Sequence, residues 1–64
     1  MRRYEAEVSR DGRWWMIHVP AIDGLTQSER LPDAELMARE LIAVTLDIPI
    51  DEIAVDVHVR SVGV

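Results

Sequence analysis

Five side chains in this sequence have the types that metal-assisted hydrolysis uses: Glu5 and Glu7 near the start, Asp56 near the end, and the two histidines His18 and His58. Clustered carboxylates can hold a pair of metal ions that clamp the attacking and leaving oxygens of a phosphodiester. Glu5 and Glu7 stand two residues apart, so on a β-strand they point to the same face. The plainer reading is a solvated sheet face, on which Glu5 opposite His18 makes a favourable cross-strand pair. A nuclease centre also needs a further carboxylate brought in from above that face. Glu35 and Glu40 belong to a helix expected on the other side of the sheet. The expectation is a protein that is not an enzyme, with no metal and no cofactor.

Other chemistries find even less support. Two histidines alone cannot build a closed zinc site, and the absence of cysteine excludes disulfides and thiolate ligands. Ser9, Ser28 and Ser61 have no histidine and carboxylate arrayed for nucleophilic catalysis. Gly12, Gly24 and Gly63 are isolated, and no glycine-rich loop is present to cradle a phosphate. The net charge is −5, and every fixed positive side chain is an arginine. These arginines are scattered rather than gathered into a basic stripe, so no direct nucleic-acid binding is expected. An acidic surface suits a basic protein partner.

The elements that position these residues follow from periodicity. Tyr4, Ala6 and Val8 alternate with Arg3, Glu5, Glu7 and Ser9, the pattern of a half-buried strand. Asp11-Gly12 is a strong hairpin signal, because a type I′ turn needs positive φ at both central residues. A turn centred there sets Val8 opposite Trp15, Glu7 opposite Met16, Ala6 opposite Ile17 and Glu5 opposite His18. One face then collects Tyr4, Ala6, Val8, Trp15, Ile17 and Val19. The other collects Glu5, Glu7, Ser9, Trp14, Met16 and His18. Pro20 ends the second strand, having no N–H for the ladder. A turn at Asp23-Gly24 leads into a short polar edge strand in Leu25–Arg30.

Pro32 suits a first helical position. Ala34, Met37, Ala38, Leu41 and Thr45 form the expected buried seam, with Glu35, Arg39, Glu40 and Ala43 on the solvated side. Pro49 stops the helix by disfavouring helical geometry at Ile48. A final strand runs from Ile53 through Val62. The reading is an α+β fold of order β-β-β-α-β in a single domain over residues 1–64. Its helix lies across one face of a three- to four-stranded, mostly antiparallel sheet. A last strand beside the first completes the order 3-2-1-4.

Sixty-four residues bury little; a domain of this size hides only about 60% of its unfolded surface. Without disulfides or metal, a partner subunit is the remaining support, so a homodimer or higher homo-oligomer is expected. "MRRYEAEV" offers no apolar leader core, and no run approaches a membrane span. The expected location is cytoplasmic, with no membrane contact. In this setting Trp14 stands out, because its partner Trp15 takes the core side and leaves Trp14 facing outward. Trp14 and Met16, rimmed by Glu5, Glu7 and His18, have the apolar centre and charged edge of a protein interface. Leu36, on the polar side of the helix, is a second contact candidate.

Tyr4, Asp11-Gly12, Trp15, Val19-Pro20, Gly24, Thr26-Gln27, Ala34 and Ala38, in their gapless spacing, resemble the N-terminal domain of HicB-type antitoxins. The resemblance spans about Arg3 to Val59 and implies a truncated RNase H-like fold. It also implies a protein that binds and silences a small, basic HicA-type mRNA-cleaving toxin. Ser28 replaces a glycine frequent in the family. The C-terminal DNA-binding segment usual in the family has no counterpart in this sequence, so operator binding is not carried over. The alternative is an orphan homo-oligomeric scaffold or regulatory domain without a toxin, and a lesser one is the metal-dependent nuclease.

Overall fold

The computed structural model describes residues 1–60; the expected extension of the last strand to Val62, with Ser61 and Gly63, lies outside the described residues. Four strands, β1 (Arg2–Asp11), β2 (Trp14–Val19), β3 (Gly24–Ser28) and β4 (Ile53–Arg60), and one helix, α1 (Ala34–Leu46), follow in the expected order β-β-β-α-β. The strands form one sheet in the order β3-β2-β1-β4. β2 lies antiparallel to both β1 and β3, whereas β4 runs parallel to β1. A parallel neighbour needs a long crossover, and the segment containing α1 supplies it. The sheet is therefore mixed, with the helix on one face.

The hairpin joins in a different register from the expected one. Glu7 pairs with His18, Val8 with Ile17, Ser9 with Met16, Arg10 with Trp15 and Asp11 with Trp14. The turn is thus Gly12-Arg13, not Asp11-Gly12. Only Gly12 has positive φ there, at 63°, which is the pattern of a II′ turn with glycine first. The pairing moves by an even number of residues, so each side chain keeps its expected face. Ala6, Val8, Ile17 and Val19 are fully buried on one side, and the charged set shares the other.

α1 closes that buried face. Its contact row is Ala34, Ala38 and Ile42, all fully buried; the two alanines let the helix backbone approach the sheet and Ile42 fills the space beyond them. The expected seam is right for Ala34 and Ala38, with Met37 and Leu41 packed beside them, but Thr45 is exposed and Ile42 takes its place. Arg39 and Ala43, expected in solvent, are half-buried. The cause lies in how the chain leaves the helix. Asp47 adopts the left-handed conformation at φ 56°, and the Ile48 N–H donates to the Ala43 carbonyl at 3.2 Å, a Schellman-type ending. The chain then doubles back through a single 3-10 turn, Ile50–Glu52. Arg39 Nη2 donates to the Ile50 carbonyl at 3.2 Å. This returning segment covers the flank carrying Arg39 and Ala43 and leaves Thr45 bare.

Gly24 opens β3 directly under the helix. A Cβ there would stand 2.9 Å from Leu41 Cδ2 and 3.0 Å from Ile22 Cδ1, so any larger residue makes those side-chain ends shift. At the other end of β3, Ser28 is buried and its hydroxyl donates to the Arg30 carbonyl at 3.0 Å, where the chain turns from β3 towards α1. The core as a whole is built from Ala, Val and Ile alone: Ala6, Val8, Ile17, Val19, Ala34, Ala38, Ile42, Ile53 and Val55.

Candidate interaction surfaces

Two surfaces are left once the core is closed: the outer face of the sheet and the outer face of α1. Parallel pairing of β1 with β4 brings the sequence-predicted chemical residues together. Glu5 lies level with Asp56, and Glu7 level with His58. Each carboxylate nevertheless has an arginine or a histidine beside it. Asp56 accepts from Arg3 at 2.7 Å, and Glu7 accepts from Arg60 at 3.1 Å. Glu5 lies 3.2 Å from His58 Nε2, and Glu7 lies 3.9 Å from His18 Nδ1. The expected Glu5–His18 pair is not formed, because the hairpin register places Glu7 opposite His18 instead. His18 also stands 3.9 Å from Asp23.

The result is a ladder of alternating charge across β1 and β4. Among the described residues no group of three or more histidine or acidic side chains is disposed to hold a metal ion. Glu35, Glu40 and the rest of α1 lie across the sheet from this ladder, so nothing on the helix can complete it. Such exposed ion pairs are individually weak.

The rest of the outer face is apolar at its centre. Trp14 and Met16 are half-buried, and Leu25 on β3 is 68% exposed. Met16, His18, Leu25, Glu7, Ser9, Asp23 and Arg60 line a shallow depression of about 310 Å³. Trp14 is not bare: the Arg13 guanidinium lies 5.7 Å from its ring centroid, within cation–π reach. Arg13 is held there by Glu29, 3.0 Å away. On the other face of the hairpin Arg10 covers Trp15 at 5.0 Å, while its Nε donates to the Gly12 carbonyl at 2.7 Å. Asp11 is the last residue of β1, opposite Trp14, and of the two residues expected in the turn only Gly12 is in it.

The helix surface differs in charge. From Asp33 to Glu52 six carboxylates stand against Arg39 alone, while the remainder of the chain carries six carboxylates and six arginines. The whole net charge of −5 therefore belongs to α1 and the turns at its ends. Among these acids three apolar side chains of α1 are exposed, Leu46 at 38% and the pair Leu36 at 48% and Val44 at 83%. Leu36 and Val44 stand on one helical row with Glu40 between them, since residues four apart are neighbours on a helix surface. The sequence reading picked out Leu36 and missed Val44, although the i, i+4, i+8 spacing of Leu36, Glu40 and Val44 was available to find it.

Comparison with protein-family models, with curated proteins and with solved structures finds no match to this chain. Among the described residues no helix is long and apolar enough to cross a membrane.

Proposed function

We propose that this chain is a non-catalytic protein-interaction domain of the HicB antitoxin type, which holds a small basic partner such as a HicA-type mRNA-cleaving toxin. The observation that carries the reading is the segregation of charge. The sheet is electrically balanced, and the acidity is concentrated on a helix that also presents Leu36 and Val44. Apolar anchors ringed by like charge suit a partner of opposite charge, with complementarity steering the encounter. The β-β-β-α-β order with strand order 3-2-1-4 agrees with the fold that the resemblance implies. On the outer sheet face, pairing of Asp56 with Arg3 and of Glu7 with Arg60 weighs against the nuclease alternative.

The test is affinity capture from native-source lysate with tagged chain, beside Leu36→Asp, Val44→Asp and Trp14→Ser. Stoichiometric recovery of one small basic protein, lost with the helix variants and kept with Trp14→Ser, is the expected result. Loss with Trp14→Ser alone would move the contact to Trp14, Met16, His18, Glu5 and Glu7. Recovery of nothing basic would overturn the antitoxin-type reading in favour of an orphan oligomeric scaffold, the second reading, which the free edge of β4 favours.

A further inference from the structure

The two edges of the sheet are unlike. β3 is five residues long, begins with Gly24 and carries Thr26, Gln27 and Ser28. Shortness and polarity are common protections for an edge strand. β4 has neither. It runs eight residues without proline, pairs with β1 in unbroken register from Ile53 to Arg60, and turns Ile53, Val55, Val57 and Val59 towards the helix side. No inward-pointing charge, bulge or proline blunts it, and among the described residues nothing pairs with its outer edge. Its first inward residues, Ile53 and Val55, are buried, but Val57 is only half-covered and Val59 is 51% exposed.

We propose that β4 pairs antiparallel with β4 of a second copy of this chain, about a two-fold axis through Val57, joining two sheets into one of eight strands. The sequence of β4 is self-complementary in that register. With the axis normal to the sheet, like faces meet, so residues whose numbers sum to twice 57 stand opposite each other. On the helix side Val57 meets Val57 of the second copy, and Val55 meets Val59 in both directions. On the outer side Asp56 meets His58 in both directions, and Ala54 meets Arg60. Directly opposed pairs are the unit of sheet stabilisation. An axis through Asp56 would set two carboxylates against each other. An axis through His58 would set histidine against histidine and leave Val55 without its valine partner.

The pairing also answers the thinness of the core. Val59 gains cover from Val55 of the other copy, and the small Ala, Val and Ile core becomes continuous across the axis. This surface is separate from the acidic helix row proposed for a basic partner, so either can fail without the other.

Absence of native cysteine makes the register directly readable. Opposed residues of an antiparallel pair have Cα atoms about 4.5–5.5 Å apart, which a disulfide spans. Under mild oxidation, Val57→Cys should cross-link to itself in high yield. Val55→Cys and Val59→Cys should each stay largely uncross-linked alone and cross-link when mixed. Sedimentation equilibrium of the unmodified chain should give twice its 7.3 kDa mass, and Val57→Lys should return it to one chain with its circular dichroism retained. Should Val57→Lys fail to fold, Val59→Lys, at an exposed position, is the replacement, with the same expected loss. A single-chain mass at every accessible concentration overturns the proposal. So does a dimer that survives the lysine variant, or one in which the three single-cysteine variants cross-link equally.

Discussion

Replacing Ile42 with alanine tests the packing of α1 most sharply, because the sequence period and the fold disagree about that residue. Ile42 is fully buried between the helix and the sheet, whereas Thr45, the seam residue suggested by spacing, is exposed. Ile42→Ala removes three carbons from the core. At about 0.8 kcal/mol per buried methylene the transfer loss is roughly 2.4 kcal/mol. The unfilled cavity brings the total into the range of about 2–5 kcal/mol seen for such truncations. Neighbouring Ala38 is too small to collapse into the space, which argues for about 3 kcal/mol or more. A core of this size supplies only about 3–5 kcal/mol in all, so the variant should lose most of its stability. Thr45→Ala should change stability by less than about 0.5 kcal/mol, with a small gain from helix propensity. The assay is urea unfolding by circular dichroism at one fixed protein concentration, since any self-association adds a mass-action contribution. With a slope near the low end of about 1–3 kcal/mol per molar urea, the two midpoints should be well separated. If Thr45→Ala costs as much as Ile42→Ala, the placement of the helix on the sheet is wrong.

Two further substitutions examine positions where the backbone rather than the side chain decides. Gly12→Ala meets no atom within 4 Å but must hold φ at 63°, so it should lose about 1–2 kcal/mol to the left-handed conformation, while Arg13→Ala loses less in the same urea assay. Equal losses at the two positions would contradict a turn that has glycine first. Asp47→Gly relieves a left-handed non-glycine residue at the helix end and should raise the unfolding midpoint, a gain of up to about 1 kcal/mol; a lowered midpoint would mean that the Asp47 side chain makes an unrecognised contact.

Much of this protein is legible along the chain, because local steric and hydrophobic rules act over a few residues. Alternation places Ala6, Val8, Ile17 and Val19 inside and Glu5, Glu7 and His18 outside, and it does so for any even register. The helix between two prolines and the valine-rich last strand are likewise written in period and breakers. The choice between neighbouring even registers is not. It rests on whether Gly12 occupies the first or the second turn position, a difference in backbone torsion to which the side-chain pattern is blind. For that reason the Glu5–His18 pair was expected where Glu7–His18 and Glu5–His58 occur. The helix seam shows the same divide. Spacing treats α1 as an isolated cylinder facing a plane, but Ile48 and Ile50 fold back over one flank and rotate the covered face from Thr45 to Ile42. Tertiary structure also set the neighbours of the candidate chemical residues. Alternation along β1 puts Arg3 on the face of Glu5 and Glu7, and only parallel alignment of β4 on β1 set Asp56, His58 and Arg60 beside them. Which side chains share a face is a local property of a two-residue repeat; which of them touch depends on strands brought together from opposite ends of the chain.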